Sequence, residues 1–344
     1  MSQSRGTETR RLTRRTVLGI GLATAGLTAV PPLLAQGLQT HMPPGVTPRH
    51  KGPLVFLDYD KEELDAAYDQ IPWAPNAEDL GERMDQQSAA ALARLGPPRR
   101  FAYGSTAIER LDLYATKQPK APMNVFIHGG AWRGGDAAGS AYISETFVDA
   151  GAHFIALDFN NVTETNGNLV TMVEQVRRAV AWVYKNAASI GGDAARLYVS
   201  GVSSGAHLTA VVLTTDWTRD FGLPVDTVKG ALCCSGMYDL HPVSLSSRGR
   251  YVTFTDDIVD ALSPQRHLDR IVTPVIVAHG TRETPEFQRQ NRDFAAALKA
   301  AGKQVTFLVG EGHNHFELQE TLGNPYSLLG RAVLRQMMLA RQAA

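Results

Sequence analysis

This chain predicts a single α/β fold, a mostly parallel sheet flanked by helices, and three observations carry that prediction. Short apolar runs of strand length recur at Met123-Asn124-Val125-Phe126-Ile127, His153-Phe154-Ile155-Ala156-Leu157, Arg196-Leu197-Tyr198-Val199-Ser200, Leu232-Cys233-Cys234, Val275-Ile276-Val277-Ala278 and Val305-Thr306-Phe307-Leu308-Val309. Between them lie segments with apolar residues at helical spacing, such as Val173, Val176, Val180, Val183 and Tyr184. Strand and helix therefore alternate, as a sheet covered by helices requires. The chain is also long enough, at 344 residues with 44% hydrophobic content, to bury one large core.

The elements follow in chain order. Residues 36–56 are rich in proline and glycine without periodicity and read as a linker, so the folded body is expected over residues 57–344. A helical segment is expected around residues 62–69, with Trp73 after it. The Val173 helix should stop at Gly191-Gly192. A second clear helix is expected over 286–301, with Phe287, Phe294 and Leu298 inward and Gly302 as its stop. The last helix is expected over about 327–340, and neither an internal repeat nor a low-complexity run interrupts the chain. Cys233 and Cys234 are neighbours in one strand, so they face opposite sides and read as buried small hydrophobes rather than a disulfide.

Charge is unevenly spread. The formal net charge is +0, which gives no basic patch for nucleic acid. Residues 1–35 nevertheless carry five arginines against Glu8, a net of +4, leaving −4 on the remainder. There, Thr13-Arg14-Arg15-Thr16-Val17-Leu18-Gly19 precedes an Ala/Gly/Leu-rich stretch ending at Leu34-Ala35. A charged start, an apolar middle and a small terminal residue describe a secretory signal, and the paired arginines make it a twin-arginine type. The expected partner is the twin-arginine export machinery, and the expected location is periplasmic or extracellular in a bacterium. Pro31, Pro32 and the glycines argue against a membrane anchor of similar length. Gly19-Ile20-Gly21 follows no strand, so it does not read as a dinucleotide loop.

Residues that carry chemistry stand at the strand ends. Gly201-Val202-Ser203-Ser204-Gly205 separates a strand from a helix candidate beginning near Ala206-His207-Leu208. A serine with glycine two positions to either side is the pattern of a tight turn that lifts a hydroxyl above a sheet. Glycine is needed there because a Cβ would crowd neighbouring backbone. About 75 residues upstream, a buried strand runs into His128-Gly129-Gly130-Ala131-Trp132. Such a loop offers backbone N–H groups to a tetrahedral oxyanion, and the residue after the serine offers another. The candidate donors are Gly129, Gly130, Ala131 and Ser204.

An activated serine also needs an acid and then a histidine, in that chain order. Glu311-Gly312-His313-Asn314-His315-Phe316 follows the last strand, and spacing does not separate His313 from His315 as the general base. No acidic or cysteine partner stands at a ligand spacing from this His-x-His pair, so no metal is expected. The acid should follow the preceding strand, where Glu283 lies in the loop and Glu286 at the start of the next helix. Helix-dipole stabilisation accounts for Glu286 without catalysis. Asp239, after an earlier strand, is a third candidate, and Glu283 leads.

Together, the Gly201–Leu208 segment, the His128–Trp132 loop and Glu283-Thr284-Pro285-Glu286-Phe287 resemble α/β-hydrolase-fold serine esterases. The nearest resemblance is to the arylformamidase (kynurenine formamidase) branch, which overlaps the hormone-sensitive-lipase-like esterases. It extends from about Leu57 through the last helix and includes Leu64-Asp65-Ala66-Ala67-Tyr68-Asp69. The resemblance places the acid at Glu283, where the branch usually has Asp, and favours His315 because Phe316 follows it directly. In two places the chain departs from the esterase pattern. Asp158-Phe159-Asn160-Asn161-Val162 replaces an Asp-Tyr-Arg-Leu-Ala-Pro run, and Ala131 stands where an aromatic is common.

The resemblance implies a hydrolase of carboxylic esters or small activated amides working through an acyl-enzyme on Ser203, with no cofactor. The alternative it implies is cleavage of N-formylkynurenine-like formanilides, which the export signal argues against because tryptophan breakdown is intracellular. A catalytically silent scaffold would be expected to lack a member of the serine, acid and histidine set, and this chain keeps all three in order.

Overall fold

The computed structural model describes residues 41–339. The export signal expected over residues 1–35 lies outside the described residues. Two short strands come first, β1 (Leu54–Phe56) and β2 (Tyr59–Asp60), paired antiparallel. Eight more build the sheet: β3 (Arg99–Ala102), β4 (Arg110–Tyr114), β5 (Ala121–Ile127), β6 (His153–Leu157), β7 (Gly192–Val202), β8 (Gly230–Cys234), β9 (Val275–Gly280) and β10 (Val305–Gly310). Their order is β10-β9-β8-β7-β5-β6-β4-β3. Only β4 runs against its neighbours β3 and β6, and the other pairs are parallel.

Parallel strands with helices on both faces should be apolar throughout rather than alternating. Every residue of β5, β6, β8 and β9 is buried. The two faces of the sheet carry separate cores. One gathers Val173, Val176 and Val180 with Leu208, Val211 and Phe294, and the other gathers Phe147, Phe154, Leu329 and Val333. Cys233 belongs to the first core and Cys234 to the second, both as free thiols. Burial alone pushes the Cys233 thiol far above its ordinary range, and burial with the nearby Glu283 does the same to Cys234.

The helices sit close to their expected places. The helix Leu169–Ile190 starts where the Asn168 side chain accepts from the N–H of Val170 and Thr171, and it stops at Gly191 with φ 86°. The helix expected over 286–301 runs Pro285–Ala300, capped by Thr284, and the last one is Leu328–Gln336. The helix Ala77–Leu95 was not expected. Only Leu80, Ser88 and Ala91 of its 19 residues are buried, so its sequence lacks a strong apolar stripe.

Residues 41–56, expected as a linker, are largely irregular but make defined contacts with the body. β1 pairs with β2, Arg49 forms an ion pair with buried Asp60, and Lys51 reaches buried Glu63 at 3.0 Å. Charged side chains, rather than apolar periodicity, tie this segment down. Among the described residues, no helix is long and apolar enough to cross a membrane.

β7, β8, β9 and β10 are consecutive parallel strands, and β7, β9 and β10 each open into a loop at the same, C-terminal end of the sheet. In open parallel sheets this edge is where ligands bind. Ser203, Glu283 and His315 all lie just beyond it.

Candidate active site

Ser203 occupies the sharp turn between β7 and the helix Ser204–Leu213, with φ 54° and ψ −127°. That conformation is rare for a residue with a side chain, and the surroundings hold it in place. Its N–H donates to the carbonyl of Cys234 at 2.8 Å. A Cβ on Gly201 would stand 2.3 Å from the Gly205 carbonyl oxygen, and one on Gly205 would stand 2.1 Å from that of Ile127. The two flanking glycines are therefore steric requirements of the turn, because the helix start presses directly on β5.

The structure brings the serine, a histidine and a carboxylate into one line. His315 Nδ1 donates to Glu283 Oε2 at 3.2 Å, and Ser203 Oγ lies 3.0 Å from His315 Nε2. With Nδ1–H committed to the carboxylate, Nε2 is free to accept the serine proton. All three residues are buried. His315 is the first residue of the short helix His315–Glu320, whose N-cap is Asn314. Phe287 meets the imidazole edge-on at 5.3 Å, and Phe316 does so from another side at 5.3 Å.

The other candidates are held elsewhere. His313 turns its Nδ1 to the Glu311 carbonyl at 2.9 Å and is not paired with Ser203. Glu286 forms an ion pair with Arg289 at 2.6 Å and accepts from the Tyr68 hydroxyl at 3.0 Å. Asp239 caps the helix Leu240–Leu245. Of the three carboxylates, only Glu283 reaches the imidazole.

Sequence reading missed Ser235, the residue just past β8. Its Oγ donates to Glu283 Oε1 at 2.6 Å, and the Gly280 N–H donates to the same oxygen at 2.8 Å. Ser235 has φ 56° and is fully buried, so a strained backbone aims its hydroxyl at the carboxylate. A lone serine after a strand carries no signal in sequence, because only sheet register puts β8 beside β9.

The His128–Trp132 loop lies directly against the serine. A Cβ on Gly129 would stand 3.0 Å from that of Ser203. Gly130, Ala131 and Trp132 all have positive φ, at 107°, 55° and 60°. The loop is pinned from both sides. Trp132 N–H donates to Ser204 Oγ at 3.2 Å, and His128 Nδ1–H donates to the Gly129 carbonyl at 2.9 Å. The Phe159 ring stacks on His128 at 4.3 Å, which gives the unusual Asp158-Phe159 run a structural role. Burial holds the His128 ring below its ordinary range, against the weaker pull of the Gly129 carbonyl, so it is neutral at pH 7. Among the described residues, the N–H groups of Gly130, Ala131 and Ser204 have no hydrogen-bond acceptor. A cavity of about 100 Å³ lined by His128, Gly129, Trp132 and Ser204 opens beside this loop. No group of three or more metal-ligating side chains is gathered among the described residues.

This sheet order, with a serine on a strained turn and an imidazole and carboxylate beyond later strands, defines an α/β-hydrolase-fold enzyme, a hydrolase. The chain belongs to the BD-FAE family, whose model matches residues 111–298. It is 30% identical to a kynurenine formamidase of Danio rerio over 80% of this chain and 96% of that protein. It is also 30% identical to the esterase LipC of Mycobacterium tuberculosis (strain ATCC 25618 / H37Rv), over 63% of this chain and 59% of that one. Among solved structures, a protein from Silicibacter sp. tm1040 shares the fold with a TM-score of 0.68 at 22% identity, covering 78% of this chain and 98% of that one.

Proposed function

We propose that this enzyme cleaves carboxylic esters, and small activated amides, through an acyl-enzyme on Ser203. One observation carries the reading: Ser203 Oγ, the His315 imidazole and the Glu283 carboxylate stand in a hydrogen-bonded line at 3.0 and 3.2 Å. Oγ attacks the carbonyl while His315 Nε2 takes its proton, and the oxyanion is received by backbone N–H groups of Gly129, Gly130, Ala131 and Ser204. The imidazolium then protonates the leaving alcohol or amine, and water resolves the ester by the reverse proton path. Glu283 keeps Nδ1 protonated and offsets the imidazolium charge.

Cleavage of aryl formamides is the second reading, supported by the 30% identity to a formamidase along nearly its whole length. Comparing kcat/KM on N-formylkynurenine with that on short-chain aryl esters ranks the two, and a formamide value far above every ester makes the second reading the first. Ser203→Ala should abolish labelling by a fluorophosphonate and lower kcat on a nitrophenyl ester by several orders of magnitude. Near-normal turnover in that variant removes Ser203 from the mechanism.

Residues 1–35 belong to the same proposal as a twin-arginine export signal, supported by Arg14-Arg15 and the apolar stretch after them. Replacing both arginines with lysine should trap the enzyme in the cytoplasm of a bacterial host. Unchanged periplasmic activity counts against the signal.

A further inference from the structure

Among the described residues, buried charges are paired with one exception. Among the described residues, the fully buried carboxylates are Asp60, Glu63, Glu109, Asp112, Asp158, Glu283 and Glu286. Each has a cationic or imidazole partner, in Arg49, Lys51, Arg178, Arg100 (shared by Asp112 and Asp158), His315 and Arg289 respectively. Arg248 is only 5% exposed, and among the described residues its charged nitrogens meet the Tyr251 hydroxyl and the Tyr68 carbonyl rather than a carboxylate. A buried guanidinium without a carboxylate is costly, and here only neutral groups meet it: the Tyr251 hydroxyl, the Tyr68 carbonyl and the Tyr68 and Trp132 rings.

The guanidinium is held but not saturated. Arg248 Nη1 donates to the Tyr251 hydroxyl at 3.0 Å, and Nη2 donates to the Tyr68 carbonyl at 3.0 Å. Its Nε–H is buried with no acceptor. Of the roughly five donors a guanidinium offers, about three are therefore uncommitted, enough for a bidentate carboxylate. A second cation stands beside it: the Arg133 guanidinium lies 4.3 Å over the Tyr251 ring, is exposed, and has no ion-pair partner among the described residues.

Position ties this pair to the reaction centre. On one side, Arg248 lies 5.5 Å over the Trp132 ring, whose own backbone N–H is bonded to Ser204 Oγ. On the other, it lies 5.9 Å over Tyr68, which packs edge-on against Phe287 at 5.9 Å, and Phe287 packs against His315 at 5.3 Å. Arg248 thus packs on Trp132 of the oxyanion loop and, through Tyr68 and Phe287, belongs to the aromatic chain that ends on His315, whose Nε2 protonates the leaving group.

We infer that Arg248, with Arg133 at the rim, receives a carboxylate carried on the leaving group, so that the preferred substrates are esters or amides of anionic alcohols or amines. This rests on the acyl-enzyme reading above and adds the charge of the substrate to it. No element of the cluster takes part in bond making. Arg248 is a specificity residue, and Arg133 guides the anion inward.

The test compares the acetate esters of 3- and 4-hydroxybenzoate with those of the corresponding neutral benzamides. Wild-type enzyme should favour a carboxylate ester in kcat/KM by about tenfold or more beyond the ratio of their hydroxide-catalysed rates, mostly through KM. Arg248→Gln should collapse that preference about tenfold, Arg248→Lys should keep part of it because the charge survives without the fork, and Arg133→Gln should weaken it by a smaller factor. A wild-type preference no larger than the uncatalysed ratio for both isomers overturns the inference even if Arg248 variants fail to fold. An undiminished preference in a folded Arg248→Gln enzyme overturns it as well. Ser203→Ala serves as the separate arm. Loss of both activities in that variant, together with a flat charge preference in the wild-type enzyme, sinks this inference alone, whereas retained turnover sinks the acyl-enzyme reading.

Discussion

Replacing Glu283 with glutamine tests the proton path more sharply than removing it, because size is kept and only hydrogen-bond polarity changes. Glu283 Oε1 accepts from Ser235 Oγ at 2.6 Å and from the Gly280 N–H at 2.8 Å, while Oε2 faces His315 Nδ1 at 3.2 Å. A glutamine there must place its carbonyl oxygen where two donors already point, so its NH2 group falls opposite Nδ1. Two donors then face each other unless the imidazole surrenders the Nδ1 proton. The ring adopts the Nε2–H form, which donates to Ser203 Oγ instead of accepting from it. With the base in the wrong tautomer and the imidazolium uncompensated in a buried site, kcat should fall on the order of 10⁴-fold, about 5 kcal/mol of barrier. Steady-state hydrolysis of 4-nitrophenyl acetate measures this, with thermal unfolding run alongside to show that the fold survives. A folded Glu283→Gln enzyme within tenfold of wild type refutes both the tautomer reasoning and the role given to Glu283.

Three further outcomes follow from the same geometry. Ser235→Ala removes one charge-assisted hydrogen bond but leaves that from Gly280, so kcat/KM should drop roughly tenfold, far less than for Glu283→Gln; an unchanged value makes Ser235 structural only. Gly205→Ala puts a Cβ 2.1 Å from the Ile127 carbonyl oxygen and should destabilise the fold by about 3 kcal/mol, a Tm loss on the order of 5 °C, so a Tm equal to wild type means that the turn relaxes freely. Burial lowers the His207 pKa to about 4, against a weaker opposing effect of the Leu262 carbonyl that accepts from Nε2. A histidine held neutral in the folded state lets the unfolded chain bind the extra proton, so stability is full above about pH 6.5 and is lost as pH falls toward 4. Relative to His207→Gln, wild type should lose about 3 kcal/mol across that window in denaturant titrations; parallel pH profiles rule this out.

The buried strands and the reactive turn were legible for local reasons. β6 matches its expected bounds, His153–Leu157, because a run that is apolar on both faces can only be a covered strand. The turn at Ser203 was legible because its glycines answer to backbone only a few residues away or in the adjacent strand. The helix Ala77–Leu95 was not, since a helix that buries three residues leaves almost no periodic trace. The contacts of segment 41–56 were not legible either, because ion pairs such as Arg49–Asp60 and Lys51–Glu63 have no sequence period.

By itself, then, the chain determined the alternation of strand and helix, the turn that bears the hydroxyl, and the loop of free N–H groups, all products of side-chain volume and φ preference acting over short range. Residue spacing left His313 beside His315, the family resemblance favoured His315 and Glu283, and only tertiary structure shows the physical reason: these pairs differ by two or three positions in sequence yet point to different partners once β9 and β10 are in register. Tertiary structure alone revealed Ser235 behind the carboxylate and the unpaired Arg248 beside the oxyanion loop. Electrostatic and hydrogen-bond pairing depends on distance in space, and the register of distant strands, which no local pattern encodes, sets that distance.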